Sequence, residues 1–398
     1  MAGTSLSAAT RSAAILAVAT AFLLFAAAPA SAAVNSSVAG NLLTVTTDGP
    51  AVAVGCAGGN VTVNGSDPDS GGPLACIQIS ASAAANIDLT GVTAAAFPAA
   101  SSQVNGSPGD DSYFLAGGAV TIVDGGGSDT LDFSAASVGV SVDLSQSSGQ
   151  LQTIDGLGDT LSLTGSFETL NGSTHDDVLT GSSGNDNLWG DAGNDTLSGG
   201  GGNDSLAGGA GNDTVSGGDG NDLYSFMVQV EGNDTITDSG GTDDLMVSGF
   251  WPGGVPGNTI TFTGSTLTGQ GTTLTYGGID SVLVIGTDGN DVIDASGAAA
   301  GPTFELHGRL GDDTLIGGPG NDLVWGDDGN DTLAAWSGRD TLDGAGGSDT
   351  YKITATGSSP ARRRRPSPPS ETAAAPARTR SSTTARRPVT RLPSDRRA

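Results

Sequence analysis

Between Gly181 and Ser225 an apolar side chain returns at every ninth residue, at Leu188, Leu197, Leu206, Val215 and Tyr224, on a background rich in glycine, asparagine, aspartate and serine. The stretch divides into five units in phase: GSSGNDNLW, GDAGNDTLS, GGGGNDSLA, GGAGNDTVS and GGDGNDLYS. Numbered 1 to 9, each has Gly at positions 1 and 4, Asn at 5, Asp at 6 and the apolar residue at 8. An eroded copy at residues 172–180 keeps Asp177 and Leu179 in phase. A fixed period sets the architecture before any other signal. Positions 1 to 6 hold too much glycine for a helix or a long strand and predict a tight turn. Positions 7 to 9 predict a short strand that sends one side chain inward. Two units then make one coil of a flattened right-handed spiral. Units 18 residues apart stack, with neighbouring strands about 4.8 Å apart.

A second array spans residues 286–352. It opens with GTDGNDVID, is interrupted by a loop through His307, and resumes with GRLGDDTLI, GGPGNDLVW, GDDGNDTLA, AWSGRDTLD and GAGGSDTYK. Ala335 at position 1 and Arg339 at position 5 depart from the pattern, which puts metal at that unit in doubt. Tyr224 and Tyr351 end the two arrays at position 8, where a larger ring is expected to close the apolar seam. Elsewhere the pattern alternates as half-buried strands do. Residues 33–105 read as a β-rich N-terminal cap. Residues 106–171 read as degenerate repeat coils, with GSPGDDSYF at 106–114 and GGGSDTLDF at 125–133. Asp111 and Asp129 are taken to lack an in-phase neighbour. Residues 226–285 read as a β-solenoid spacer (NTITFTG, TTLTYGG, DSVLVIG). The fold class is all-β, a parallel β-roll or β-solenoid.

Stacking decides the chemistry. It puts Asp186 over Asp204, Asp195 over Asp213 and Asp204 over Asp222. Two carboxylates about 5 Å apart repel by roughly 3 kcal/mol at an effective dielectric of 20. Layers with one leucine per unit cannot offset a penalty that recurs at every step. A hard divalent cation between the turns reverses its sign, and carboxylate plus carbonyl oxygens suit calcium. No Cys and only His175 fall in the first array, so zinc, copper and iron–sulfur chemistry are poorly served. Single worn copies such as that of Asp111 cannot build a site between two turns, so Asp111→Ala is expected to weaken none.

These units resemble the RTX (repeats-in-toxin) calcium-binding family, whose nonapeptide G-G-x-G-x-D-x-U-x they match. The resemblance implies a β-roll with several calcium ions held between adjacent turns. Its aspartate ligands would be Asp177, Asp186, Asp195, Asp204, Asp213 and Asp222 in the first array. In the second they would be Asp291, Asp313, Asp322, Asp331, Asp340 and Asp349. Turn carbonyls would come from Gly181, Gly190, Gly199, Gly208, Gly217, Gly308, Gly317 and Gly326.

Composition refines this picture at the ends of the chain. Residues 1–32 read as an export signal: Arg11, an apolar stretch Ala13 to Ala28, and Ala30-Ser31-Ala32 for cleavage, so the mature chain starts at Ala33 without a membrane span. Export makes a disulfide between Cys56 and Cys76 the default. The net charge is −28, but 11 of the 15 basic residues are arginines in the last 37 positions, beside Glu371 and Asp395. The rest of the chain therefore holds 41 acidic and 4 basic residues, which excludes nucleic acid as a partner and favours cations. Residues 353–398 are expected to be a disordered Arg/Pro-rich tail. The readings weighed are a solvated tail, a tether to anionic cell-wall polymer, and an out-of-frame continuation whose truncation would be silent. No H-E-x-x-H or G-x-S-x-G occurs and only two histidines are present, so no enzyme is expected. The leading reading is a secreted calcium-binding protein with a structural or cell-surface role. The alternative is calcium-dependent glycan binding through Trp189 and Trp325 at position 9, and an RTX-type hydrolase ranks last.

Overall fold

The 18-residue interval is the stacking interval of the strands. Asn187–Trp189 lies between Thr169–Asn171 and Ser205–Ala207, with Leu188 in register with Leu170 and Leu206. On the opposite side Thr196–Gly201 lies between Val178–Thr180 and Thr214–Asp219, with Leu197 in register with Leu179 and Val215. Every one of these pairs is parallel. The molecule is a parallel β-roll whose two long faces are sheets of 15 and 12 strands. A third sheet of 7 strands closes the broader N-terminal coils. The computed structural model describes residues 85–89, 101–228, 231–249 and 257–353. Beyond these it describes only the backbone of Val34–Ala39, Leu42–Thr47, Ala51–Ala57, Asn60–Val63, Cys76–Ala81 and Arg362–Arg363.

Two turn positions need the left-handed backbone that glycine adopts at least cost. In the unit that starts at Gly208, position 2 is Gly209 with φ +99° and position 4 is Gly211 with φ +148°. A Cβ on Gly211 would also strike the carbonyl of Gly193 in the coil below. At position 2 the rule is softer, and Asp191, Arg309, Asp327 and Ala345 take positive φ there without glycine.

Between the arrays the coils widen. Val215 pairs with Ile236, 21 residues on, and Leu245 with Val282, 37 residues on. Between the arrays one face stays parallel. The other takes in an antiparallel meander, Thr259–Gly264, Thr266–Gly269 and Thr272–Gly277. Here a second inward side chain follows each first one, as Phe226 follows Tyr224 and Leu306 follows Phe304. Phe262 packs edge-on against Phe304 and Tyr276 with ring centres 5.1 and 6.4 Å away.

The backbone strands of residues 33–105 are rungs of the same sheets: Cys76–Ala81 pairs with Ser101–Asn105, and Ala51–Ala57 with Asn86–Asp88. The export signal, and the side chains of Cys56 and Cys76 with the disulfide expected between them, lie outside the described residues. Of the expected disordered tail beyond Ile353, only Arg362–Arg363 is described, and its backbone pairs in parallel with Thr341–Leu342. No helix among the described residues is long and apolar enough to cross a membrane.

Within the arrays the core is a single file of side chains, and Leu206 in its centre is 1% exposed. Leu206→Ala is expected to destabilise the calcium-loaded fold by about 2–5 kcal/mol. Thermal melting in calcium checks it, and an unchanged midpoint would count against a one-residue core.

Candidate metal centre

The successive N–H groups of positions 5 and 6 are held from opposite neighbouring coils. Each position-5 asparagine accepts the position-5 N–H of the next coil, as Asn185 Oδ1 does from Asn203 (2.8 Å) and Asn203 Oδ1 from Asn221 (2.8 Å). Each position-6 aspartate accepts in the other direction, from the position-6 N–H of the coil before. Asp195 accepts from Asp177, Asp204 from Asp186, Asp213 from Asp195 and Asp222 from Asp204, all at 2.8 Å. In the second array Asp313 accepts from Asp291 (2.7 Å), Asp331 from Asp313 (2.9 Å), Asp340 from Asp322 (3.1 Å) and Asp349 from Asp331 (3.2 Å). Asp322 accepts from Phe304 N–H (3.0 Å) at the same 18-residue interval, the coil before it carrying phenylalanine in register with the aspartate. One carboxylate oxygen per unit is thereby committed to the backbone.

The other oxygen separates two kinds of turn. Where position 2 is Ser or Thr, its N–H reaches back to the aspartate: Ser173 to Asp177 and Ser182 to Asp186 (both 2.6 Å), Thr287 to Asp291 (2.7 Å). Those units open the arrays and satisfy their carboxylates internally, and outside the arrays Ser107 N–H does the same for Asp111 at 2.6 Å. In the units that follow, Oδ2 of Asp195, Asp204, Asp213, Asp222, Asp313, Asp322 and Asp331 is buried without a hydrogen-bond partner. A buried charge left so is costly unless something cationic meets it. From residue 85 to 351 the sequence has no Lys and only Arg309 and Arg339.

Carbonyl oxygens converge on the same points. The place where a Cβ of Gly190 would stand lies against both Asp195 Oδ2 and the carbonyl of Gly208. Gly199 is likewise set against Asp204 and the carbonyl of Gly217, Gly172 against Asp177 and that of Gly190, and Gly181 against Asp186 and that of Gly199. In the second array Gly286 faces Asp291 and the Gly308 carbonyl, and Gly308 faces Asp313 and the Gly326 carbonyl. Gly317 stands beside Asp322 Oδ2. Position 1 is thus glycine for room, because its missing Cβ is where the oxygens meet. Carboxylate and carbonyl oxygens around a space of that size suit a hard cation. The unit of Asp340 differs, since Ala335 puts a real methyl group at position 1 and is itself buried.

Two blocks of the chain match the RTX calcium-binding nonapeptide repeat (four copies), over residues 164–197, 171–206, 189–224, 305–333 and 323–351. The chain carries RTX calcium-binding nonapeptide repeats in both blocks. No curated protein matches it.

The RTX ladder runs further than the nonapeptide period. Asp111 N–H donates to Asp129 Oδ1 at 2.7 Å, and Asp129 N–H to Glu168 Oε2 at 2.8 Å. The expectation that Asp111 and Asp129 lack in-phase neighbours is therefore corrected: they stack on each other at the 18-residue interval. Asp124, not Gly125, is position 1 of the unit of Asp129. Past the first array Asp213 N–H donates to Asp234 (2.8 Å), Asp222 N–H to Asp243 (2.9 Å) and Asp243 N–H to Asp280 (3.2 Å). Glu168, Asp234, Asp243 and Asp280 escaped the period because coil length changes around them. The signal that persists is local, an acid two residues before a buried apolar residue: Leu170, Ile236, Leu245 and Val282.

Of the two histidines, His175 lies in the turn of Asp177, where its N–H donates to Ser173 Oγ at 3.1 Å. His307 stacks on Trp325 with ring centres 6.1 Å apart and contacts Glu305 (3.2 Å) and Asp327 (3.5 Å). Burial opposes its charged form, but hydrogen bonds with Asp327 and Glu305 outweigh it and lift its pKa to about 9.

Burial first, and facing aspartates after it, push Asp195, Asp204 and Asp313 up to about 7. Burial and Asp340 do the same for Asp322. A carboxyl with a folded-state pKa above its unfolded value of about 3.9 stabilises the fold fully below that value and loses the effect as pH rises through 7. Without calcium, acidification from pH 7.5 to 5 is expected to strengthen the β signal in circular dichroism. With calcium, affinity is expected to fall over the same range, since protons compete for the ligands. A metal-free chain insensitive to pH would contradict both. Asp204→Asn, at a turn with an orphaned oxygen, should raise the calcium midpoint about tenfold, or about 1.4 kcal/mol. Asp177→Asn, at a self-satisfied turn, should change it little. Calorimetry that finds equal losses would contradict the division into two kinds of turn.

Proposed function

We propose that this RTX-repeat protein is exported and works outside the cell as a calcium-ordered structural or surface element. The observation that carries the reading is the row of seven buried carboxylate oxygens without partners along the two arrays. A fold that leaves them so requires abundant cation, and weak calcium sites of extracellular modules operate at about 10⁻⁴–10⁻³ M. The apolar stretch and Ala30-Ser31-Ala32 at the start of the sequence fit export, and the acidic body keeps a folded spiral soluble. The proposal includes no catalytic role. The described histidines lie in a turn (His175) and in a stacked pair with Trp325 (His307). Glycan binding is less well supported, because Trp189 and Trp325 are half-buried and His307 lies on the ring of Trp325.

Expression of the full chain in a secreting host is expected to give medium-borne protein beginning at Ala33. Its far-ultraviolet spectrum should gain β signal cooperatively as calcium enters the millimolar range, and magnesium should substitute poorly. Retention of an uncleaved chain in the cell would sink the export reading, and a spectrum indifferent to calcium would sink calcium-ordered folding.

A further inference from the structure

Two steps of the acid ladder are built differently from the rest. The units that start at Gly106 and Gly217 carry Tyr113 and Tyr224 at position 8, and the unit stacked on each opens with aspartate, Asp124 or Asp238, where array units have glycine. A side-chain carboxylate thus enters the space that a backbone carbonyl shares elsewhere. Asp111, Asp124 and Asp129 each bring an oxygen within 4.8 Å of the others, and Asp222, Asp238 and Asp243 do the same.

The space between them is the one left by the position-1 glycine. A Cβ of Gly106 would lie 3.0 Å from Asp111 Oδ2, 3.1 Å from Asp124 Oδ1, and against the Tyr113 hydroxyl. A Cβ of Gly217 would lie against Asp222 Oδ2 and the Tyr224 hydroxyl. That hydroxyl accepts from Gly217 N–H (2.6 Å) and donates to Asp238 Oδ2 (2.5 Å), which fixes Asp238 over the space. Asp124 Oδ1, Asp129 Oδ2 and Asp222 Oδ2 are buried there without a hydrogen-bond partner, and Asp129 and Asp222 are 0% and 2% exposed. No Lys or Arg occurs in the sequence between Arg11 and Arg309, so no such side chain of this region can neutralise the triads.

We propose that these are two calcium sites of a second kind, in which three carboxylates replace the mixed carboxylate and carbonyl set of the nonapeptide step. Each sits where a narrow turn gives way to a coil with a second inward residue, Leu115 or Phe226. Ligand charge sets calcium affinity, so a triad binds more tightly than a nonapeptide step, by about tenfold or more. The inference rests on the reading that nonapeptide steps fill at millimolar calcium.

Equilibrium dialysis of the full chain with radioactive calcium alone, at about 10 µM and about 2 mM free ion, tests it. The unaltered chain is expected to hold two ions at the lower concentration and more at the higher. Asp238→Asn should hold one at the lower concentration, and Asp124→Asn with Asp238→Asn none, while both keep the millimolar class. Asparagine preserves the acceptor that Gly126 N–H and Gly240 N–H use, so neither turn need open. An unaltered chain that binds calcium only in the millimolar class overturns the proposal, with no variant needed, and leaves the nonapeptide sites standing. A chain that binds at neither concentration overturns both readings.

Discussion

The fold is governed by carboxylates that must stack. A coil two nonapeptides long brings position-6 aspartates under their own counterparts, and in seven of those in the arrays the second oxygen is buried without a hydrogen-bond partner. What remains is a buried negative edge beside a core one side chain wide. A fully buried leucine contributes roughly 1.5–3 kcal/mol, about the size of the repulsion between two facing carboxylates. The arrays therefore lack the apolar surplus of an ordinary domain, and their stability is inseparable from the ion they bind. Glycine at position 1 follows from the same constraint, since any side chain there would fill the place where the oxygens converge.

The parts of the structure that obey the period were legible in the sequence. An 18-residue interval fixes which aspartates face each other, which leucines form the seam, and that the strands run parallel. Where coil length changes, phase is lost although the local arrangement persists. Asp243 stacks on Asp222 after 21 residues and Asp280 on Asp243 after 37, so no fixed interval finds them. Asp129 was read one position out of frame because its unit opens with Asp124 instead of glycine. The division between satisfied and orphaned carboxylates was hidden for another reason: it depends on whether the position-2 N–H turns back on the aspartate, a backbone property. Tyr224 was expected to cap the seam. Its ring does lie in the core, but its hydroxyl serves the acid edge.

The widened coils between the arrays have a consequence for how the spiral comes to exist. There the interior is two side chains deep, with Phe262, Phe304 and Tyr276 in contact. Phe304, which stands under Asp322 without a carboxylate, and the antiparallel meander interrupt the aspartate ladders on the two edges at this level. This waist can order on apolar contact alone. A nonapeptide coil cannot, because its position-5 amide looks to the coil before it and its position-6 amide to the coil after it. Growth of such coils needs a strand edge that already exists, and the waist offers one upward and one downward. It is a seed crystal placed between two salts, with calcium deciding only how far each array extends from it.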